Sequence, residues 1–88
     1  MLQNYQENNA QSIQVTGYVI CTERDKRGQI VEIAISTETF ERFTVVPNKV
    51  AEGLYQYLDK GVKVKGFISG EDIMGNKLLT ISNFVILN

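Results

Sequence analysis

Val45-Val46-Pro47-Asn48-Lys49-Val50-Ala51-Glu52-Gly53-Leu54-Tyr55-Gln56-Tyr57-Leu58-Asp59-Lys60-Gly61 is the one stretch of this 88-residue chain with helical spacing. Val50, Ala51, Leu54, Tyr57 and Leu58 recur at intervals of three and four, and Lys49, Glu52, Gln56 and Asp59 fall on the opposite face. Pro47 ends whatever strand precedes it, because it cannot donate to a ladder. Asn48 is placed to cap the first turn, and Lys60-Gly61 to end the helix, with Gly supplying a left-handed residue. A helix of roughly three turns is expected.

Outward from this helix the pattern has period two. Upstream, Ile13, Val15, Val19 and Cys21 share one strand face, opposite Gln14, Thr16, Tyr18, Ile20 and Thr22. Gly17 interrupts that strand and predicts a bulge or bend, which lets one long strand serve both sides of a small barrel. Glu23 to Gln29 is a charged loop ending in a Gly-Gln pair. Ile30 to Thr37 returns with Val31, Ile33 and Ile35 on one face, and Phe40 to Val46 forms a third strand. Downstream, Val62, Val64 and Ile68 alternate with Lys63, Lys65, Phe67 and Ser69. Gly70 to Lys77 is a second polar loop, and Leu78 to Leu87 a fifth strand. Three strands, a helix and two strands is the order of the OB-fold, a five-stranded Greek-key barrel of the all-β class with one short helix between strands 3 and 4. An SH3-like barrel competes, but does not call for the helix. Residues 12–88 form this single domain, and residues 1–11 a flexible polar arm in which Leu2 and Tyr5 bury too little to offset the entropy of ordering it. No internal repeat is seen.

Composition excludes several classes of chemistry. There is no His, which removes the usual general base, the commonest metal ligand and every imidazole triad. One Cys excludes an internal disulfide and a Cys-built zinc site, and nothing beside Cys21 lowers its thiol pKa. No glycine loop ends in the Lys-Ser or Lys-Thr of a phosphate cradle. Carboxylate pairs at Glu23/Asp25 and Glu71/Asp72 sit in polar loops and read as solvated turn residues. No enzyme and no cofactor are therefore expected. The polar start lacks a secretory signal and no apolar run approaches ~20 residues, so the expected location is cytoplasmic, with no membrane partner. Nine Lys plus Arg against ten Asp plus Glu, a net charge of −1, leave nucleic-acid binding to a local patch.

The quoted stretch resembles the corresponding part of bacterial single-stranded-DNA-binding proteins, in which Lys-x-Ala-Glu opens the helix and Tyr-Leu-x-Lys-Gly ends it. Val62-x-Val64-x-Gly66-Phe67-Ile68 is similar to the fourth strand of that family and of primosomal replication protein B. The likeness spans about Ile13 to Leu87 and is sharpest over Val45 to Ile68. It implies an OB-fold, a single-stranded nucleic-acid ligand, replication or repair proteins as partners, and a homo-oligomer, dimer or tetramer. The departures are specific. Glu41 stands where the family has a stacking Trp, and Pro47 where it has a stacking Phe. Each lost platform is worth about 1–3 kcal/mol per base. With the sequence ending near the expected fifth strand, the family's acidic-tipped tail is not expected here.

Tyr18, Lys63, Lys65 and Phe67 are the best local set for a single strand: outward parity on neighbouring strands would put rings and ammonium groups on one surface. The alternative is an ordinary solvated face with aromatics covering the barrel wall. Arg24, Lys26 and Arg27 in the first loop and Lys77 in the last lie where OB-folds commonly clamp a strand, diluted by Glu23, Asp25, Glu71 and Asp72. Arg42 is outnumbered by Glu32, Glu38 and Glu41 on strands two and three. Phe40 and Phe43 could stack, but Phe43 shares parity with Val45 and fits the core. Two functions remain open: a small module binding single-stranded nucleic acid, with DNA the expected strand, and a protein-interaction or oligomerisation module without such binding.

Overall fold

The computed structural model describes residues 12–87. The expected arm over residues 1–11 lies outside the described residues. Five strands, β1 (Ser12–Arg24), β2 (Ile30–Ser36), β3 (Arg42–Val45), β4 (Gly61–Glu71) and β5 (Lys77–Ile86), close into a barrel in the order β1-β2-β3-β5-β4. Among the described residues, only β3 and β5 pair in parallel. With the helical segment between β3 and β4, this is the OB-fold expected from the element order.

Strand β1 is long because it has two partners in succession. Ser12 to Tyr18 pairs with β4, and Tyr18 to Arg24 with β2, so Tyr18 stands opposite both Gly61 and Ser36. Gly17 lies at the switch: a Cβ there would come 2.3 Å from the carbonyl oxygen of Ser36. The bend expected at Gly17 is thus a change of partner without a bulge. Register shifts come later, between Cys21 and Arg24. An extra residue reverses strand parity, so Ile30 packs against the core while Val31 turns to solvent. That corrects the expectation that Val31 shares the face of Ile33 and Ile35.

The helical segment is also shorter than its spacing implies. A single turn, α1 (Lys49–Glu52), is followed by a 3₁₀ turn over Tyr55–Tyr57. Asn48 caps it as expected, Oδ1 accepting from the Ala51 N–H at 2.7 Å. The N–H groups of Gly53, Leu54, Tyr57 and Lys60 each donate to the carbonyl three residues back. This tighter winding brings Tyr55 and Leu58, three apart, against the core. Glycine favours the break, being a poor helix former, and the Phe84 ring would sit 3.2 Å from a Cβ on Gly53. The left-handed residue that ends the segment is Asp59 (φ 67°), and Gly61 instead opens β4.

The segment closes the barrel with Ala51 and Leu54 over Val15, Val19, Ile33, Ile35, Phe43, Val45, Val62, Val64, Leu79 and Ile81. Phe43 is core, as its parity with Val45 predicts. Phe40 is not in the third strand as expected; it sits in the turn before β3 with φ 66°.

Three hairpin turns share one construction. In Asp25–Gln29, Thr37–Glu41 and Asp72–Asn76, the first N–H donates to the fifth carbonyl, at 2.9, 2.9 and 2.8 Å. The fourth N–H donates back to the first carbonyl, at 2.9, 3.0 and 3.0 Å. The first side chain, Asp25 Oδ1, Thr37 Oγ1 or Asp72 Oδ1, accepts the fifth N–H at 2.9, 3.2 and 2.9 Å. The fourth residue is left-handed each time: Gly28 (φ 84°), Phe40 (φ 66°) and Gly75 (φ 89°). Glycine adopts this conformation without steric cost. Among the described residues, no helix is long and apolar enough to cross a membrane.

Candidate nucleic-acid interface

Cross-strand pairing sets which outward side chains meet. On β4, Lys63, Lys65 and Phe67 lie opposite Thr16, Gln14 and Ser12 of β1, and all six are exposed. Tyr18 continues the same face, 54% exposed, its Cε1 lying 3.9 Å from where a Gly61 Cβ would be. Tyr18, Ser36 and Arg42 form one row across β1, β2 and β3, which brings Arg42 to this surface. Among the described residues, neither Lys63, Lys65 nor Arg42 has a carboxylate within salt-bridge distance. The barrel therefore assembles Tyr18, Arg42, Lys63, Lys65 and Phe67 on one continuous wall.

The cations Arg24, Lys26, Arg27 and Lys77 lie in or beside the β1–β2 and β4–β5 turns. Arg24 Nη1 donates to the Gly28 carbonyl at 2.7 Å and braces the β1–β2 turn. Lys26 and Arg27 are exposed in that turn. Arg24 lies six steps along β1 from Tyr18, about 20 Å at ~3.3 Å per residue. Lys77 pairs with Glu41 at 3.7 Å, with both side chains about half exposed.

The middle of the β2–β3 face is covered by the protein itself. Ile20, Ala34 and Thr44 form the next outward row, yet Ala34 and Thr44 are buried. Thr44 Oγ1 donates to Asp72 Oδ2 at 2.7 Å, drawing the β4–β5 turn across β3. That hydroxyl, followed by the Asn76 and Met74 donors, holds the Asp72 carboxyl below its ordinary pKa, against an opposing contribution from desolvation. Glu32 is engaged as well, accepting from Thr22 Oγ1 at 2.6 Å. Glu32 on β2 thus serves an internal bond, which a reading by parity alone does not reveal.

Beside Tyr18 a cleft of about 540 Å³ opens between β1, the β2–β3 turn and the end of the chain, lined by Thr16, Gly17, Tyr18, Thr37, Glu38, Thr39, Gly61 and Leu87. Its walls are hydroxyls, one ring, one carboxylate and one aliphatic side chain. Phe40 follows this lining segment directly and is 90% exposed. By sequence alone it is only a possible stacker beside Phe43. The signal that singles it out is the spacing Asp25-x-x-Gly28, Thr37-x-x-Phe40 and Asp72-x-x-Gly75. Cys21 is half-buried, its thiol directed at the Glu23 carbonyl at 3.5 Å. Among the described residues, no group of three or more His, Cys, Asp or Glu side chains is placed to hold a metal ion.

Fold and surface together define a small OB-fold domain with a mixed aromatic and cationic outer wall. No protein-family model and no curated protein matches the sequence.

Proposed function

We propose that this domain binds single-stranded nucleic acid, with DNA the expected strand, along the outer wall of β1 and β4. The observation that carries this is the contiguity of Tyr18, Lys63, Lys65 and Phe67, extended by Arg42 across the Tyr18 row. A half-exposed ring offers a stacking face to any base, and ammonium groups without carboxylate partners are available to phosphates. The resemblance of Val45–Ile68 to single-stranded-DNA-binding proteins and primosomal replication protein B supports the same assignment. It brings with it a cytoplasmic setting, a homo-oligomer, and replication or repair proteins as partners. With the β2–β3 face covered and few cations on the wall, affinity is weak to moderate at low salt.

Anisotropy of a labelled mixed-sequence oligonucleotide tests it. A rise at low salt that falls with added salt is expected, and a flat signal at high protein concentration overturns it. If Lys63 and Lys65 each meet one phosphate, the K63Q/K65Q variant flattens the log–log salt slope by about 1.4, at about 0.7 per contact.

A second reading, an interaction or oligomerisation module, draws on the apolar tip of the β4–β5 turn, where Ile73 is 98% exposed and Met74 is exposed beside it. Light scattering decides it. A dimer or tetramer that I73S/M74S returns to monomer supports this use of the tip, and a strict monomer counts against it.

A further inference from the structure

We infer that Phe40 is a binding residue: an exposed ring, in the turn whose preceding residues line the Tyr18 cleft, on which an unpaired nucleobase stacks. The inference rests on the single-strand reading above and names a platform outside the β1–β4 wall. Its basis is the comparison of three turns within one molecule. The turns at Asp25, Thr37 and Asp72 have the same hydrogen bonds and the same left-handed fourth residue. Two of them place glycine there. The third places Phe40, although a Cβ at positive φ crowds the following carbonyl and a bulky side chain is the least suited to it.

Among the described residues, nothing compensates for that choice. The ring is 90% exposed, so it contributes almost no packing. A local rule broken without structural return marks a position kept for something the isolated chain does not contain. The surroundings indicate what that is. Thr37 and Thr39, just before Phe40, line the cleft with Tyr18, and Arg42, two residues on, shares a row with Tyr18. Two exposed rings with a guanidinium nearby suit the flat faces and phosphates of a single strand. Glu38, also in the cleft, offers an acceptor to exocyclic amino groups of a base. Glu41, the neighbouring carboxylate, is engaged by Lys77.

The chain contains no Trp, so F40W and Q56W each carry a single indole. Gln56 is exposed on the helical segment and belongs to neither proposed surface, which makes Q56W the control. The expected result is that mixed-sequence single-stranded DNA quenches F40W and leaves Q56W unchanged. In F40G, affinity should fall about five- to 150-fold, the range for one lost base stack. Its thermal midpoint should stay level or rise by a few degrees, because relief at positive φ offsets the greater freedom of glycine in the unfolded chain. Unchanged affinity in F40G overturns the assignment to Phe40 while leaving the single-strand reading intact. A lowered midpoint with lost affinity overturns it in favour of a structural role. An F40W signal that follows protein concentration and ignores DNA overturns it in favour of self-association. Absence of any binding by the unaltered protein overturns the single-strand reading and this inference together.

Discussion

Asp72 shows how much one half-buried side chain can organise. Its Oδ1 accepts the N–H groups of Met74 and Asn76, each at 2.9 Å, while Oδ2 takes the Thr44 hydroxyl from across the sheet. Because the folded carboxyl titrates below its ordinary value, chiefly through Thr44, its contribution to stability is present above the unfolded pKa of about 3.9. That contribution is lost as the pH falls through the lower, folded value. T44V removes the leading cause. Its thermal midpoint should lie below that of the unaltered protein near neutral pH, and the two should converge on acidification; parallel curves across the titration would refute the linkage. At Gly17 the constraint is steric. With only 2.3 Å between a new Cβ and the Ser36 oxygen, G17A must move β1 away from β2. It should cost about 1–3 kcal/mol in denaturant unfolding, and an unchanged midpoint would show that the strand yields freely.

At the scale of elements, the short helical segment is held by its first residue more than by its length. Asn48 caps Ala51 and also donates Nδ2–H to the Ile81 carbonyl at 3.1 Å, fastening the segment to β5. N48A loses both bonds. A cap alone is worth about 0.5–2 kcal/mol, so a loss near the upper end is expected by chemical denaturation, with N48D recovering the cap but not the bond to Ile81. The spacing of Val50, Ala51, Leu54 and Leu58 was legible as helical, and Asn48 as its cap. The 3₁₀ winding was not, since intervals of three serve either helix and the Phe84 ring that crowds Gly53 comes from the far end of the chain. The strand alternation was equally legible, except where the register shifts before Arg24 exchange Ile30 for Val31.

For the whole molecule, one small barrel depends on few large side chains. Leu54 is fully buried beneath the strands, and L54A should cost about 2–5 kcal/mol, a large part of the ~4–13 kcal/mol expected for a domain of this size. A two-state urea titration measures it, and a loss under about 1 kcal/mol would mean that the segment merely rests on the barrel. The same closure distributes the charges. It sets Lys63 and Lys65 beside the Tyr18 row, ties Lys77 to Glu41, and carries Lys26 and Arg27 away on a hairpin.

By itself the sequence determined the fold class: period-two runs around one segment of helical spacing leave few barrels that can bury their apolar faces. It also determined the outward parity of Tyr18, Lys63, Lys65 and Phe67, because strand geometry alone sends alternate side chains to opposite faces. Only the tertiary structure decided which of the charged and aromatic residues share a surface. Arg42 meets Tyr18 through β2, Asp72 closes over Thr44 from 28 residues away, and Phe40 stands in a turn that glycine fills elsewhere in the same chain. Each of these depends on which strands become neighbours when the barrel closes, or on a backbone angle that residue type alone would argue against.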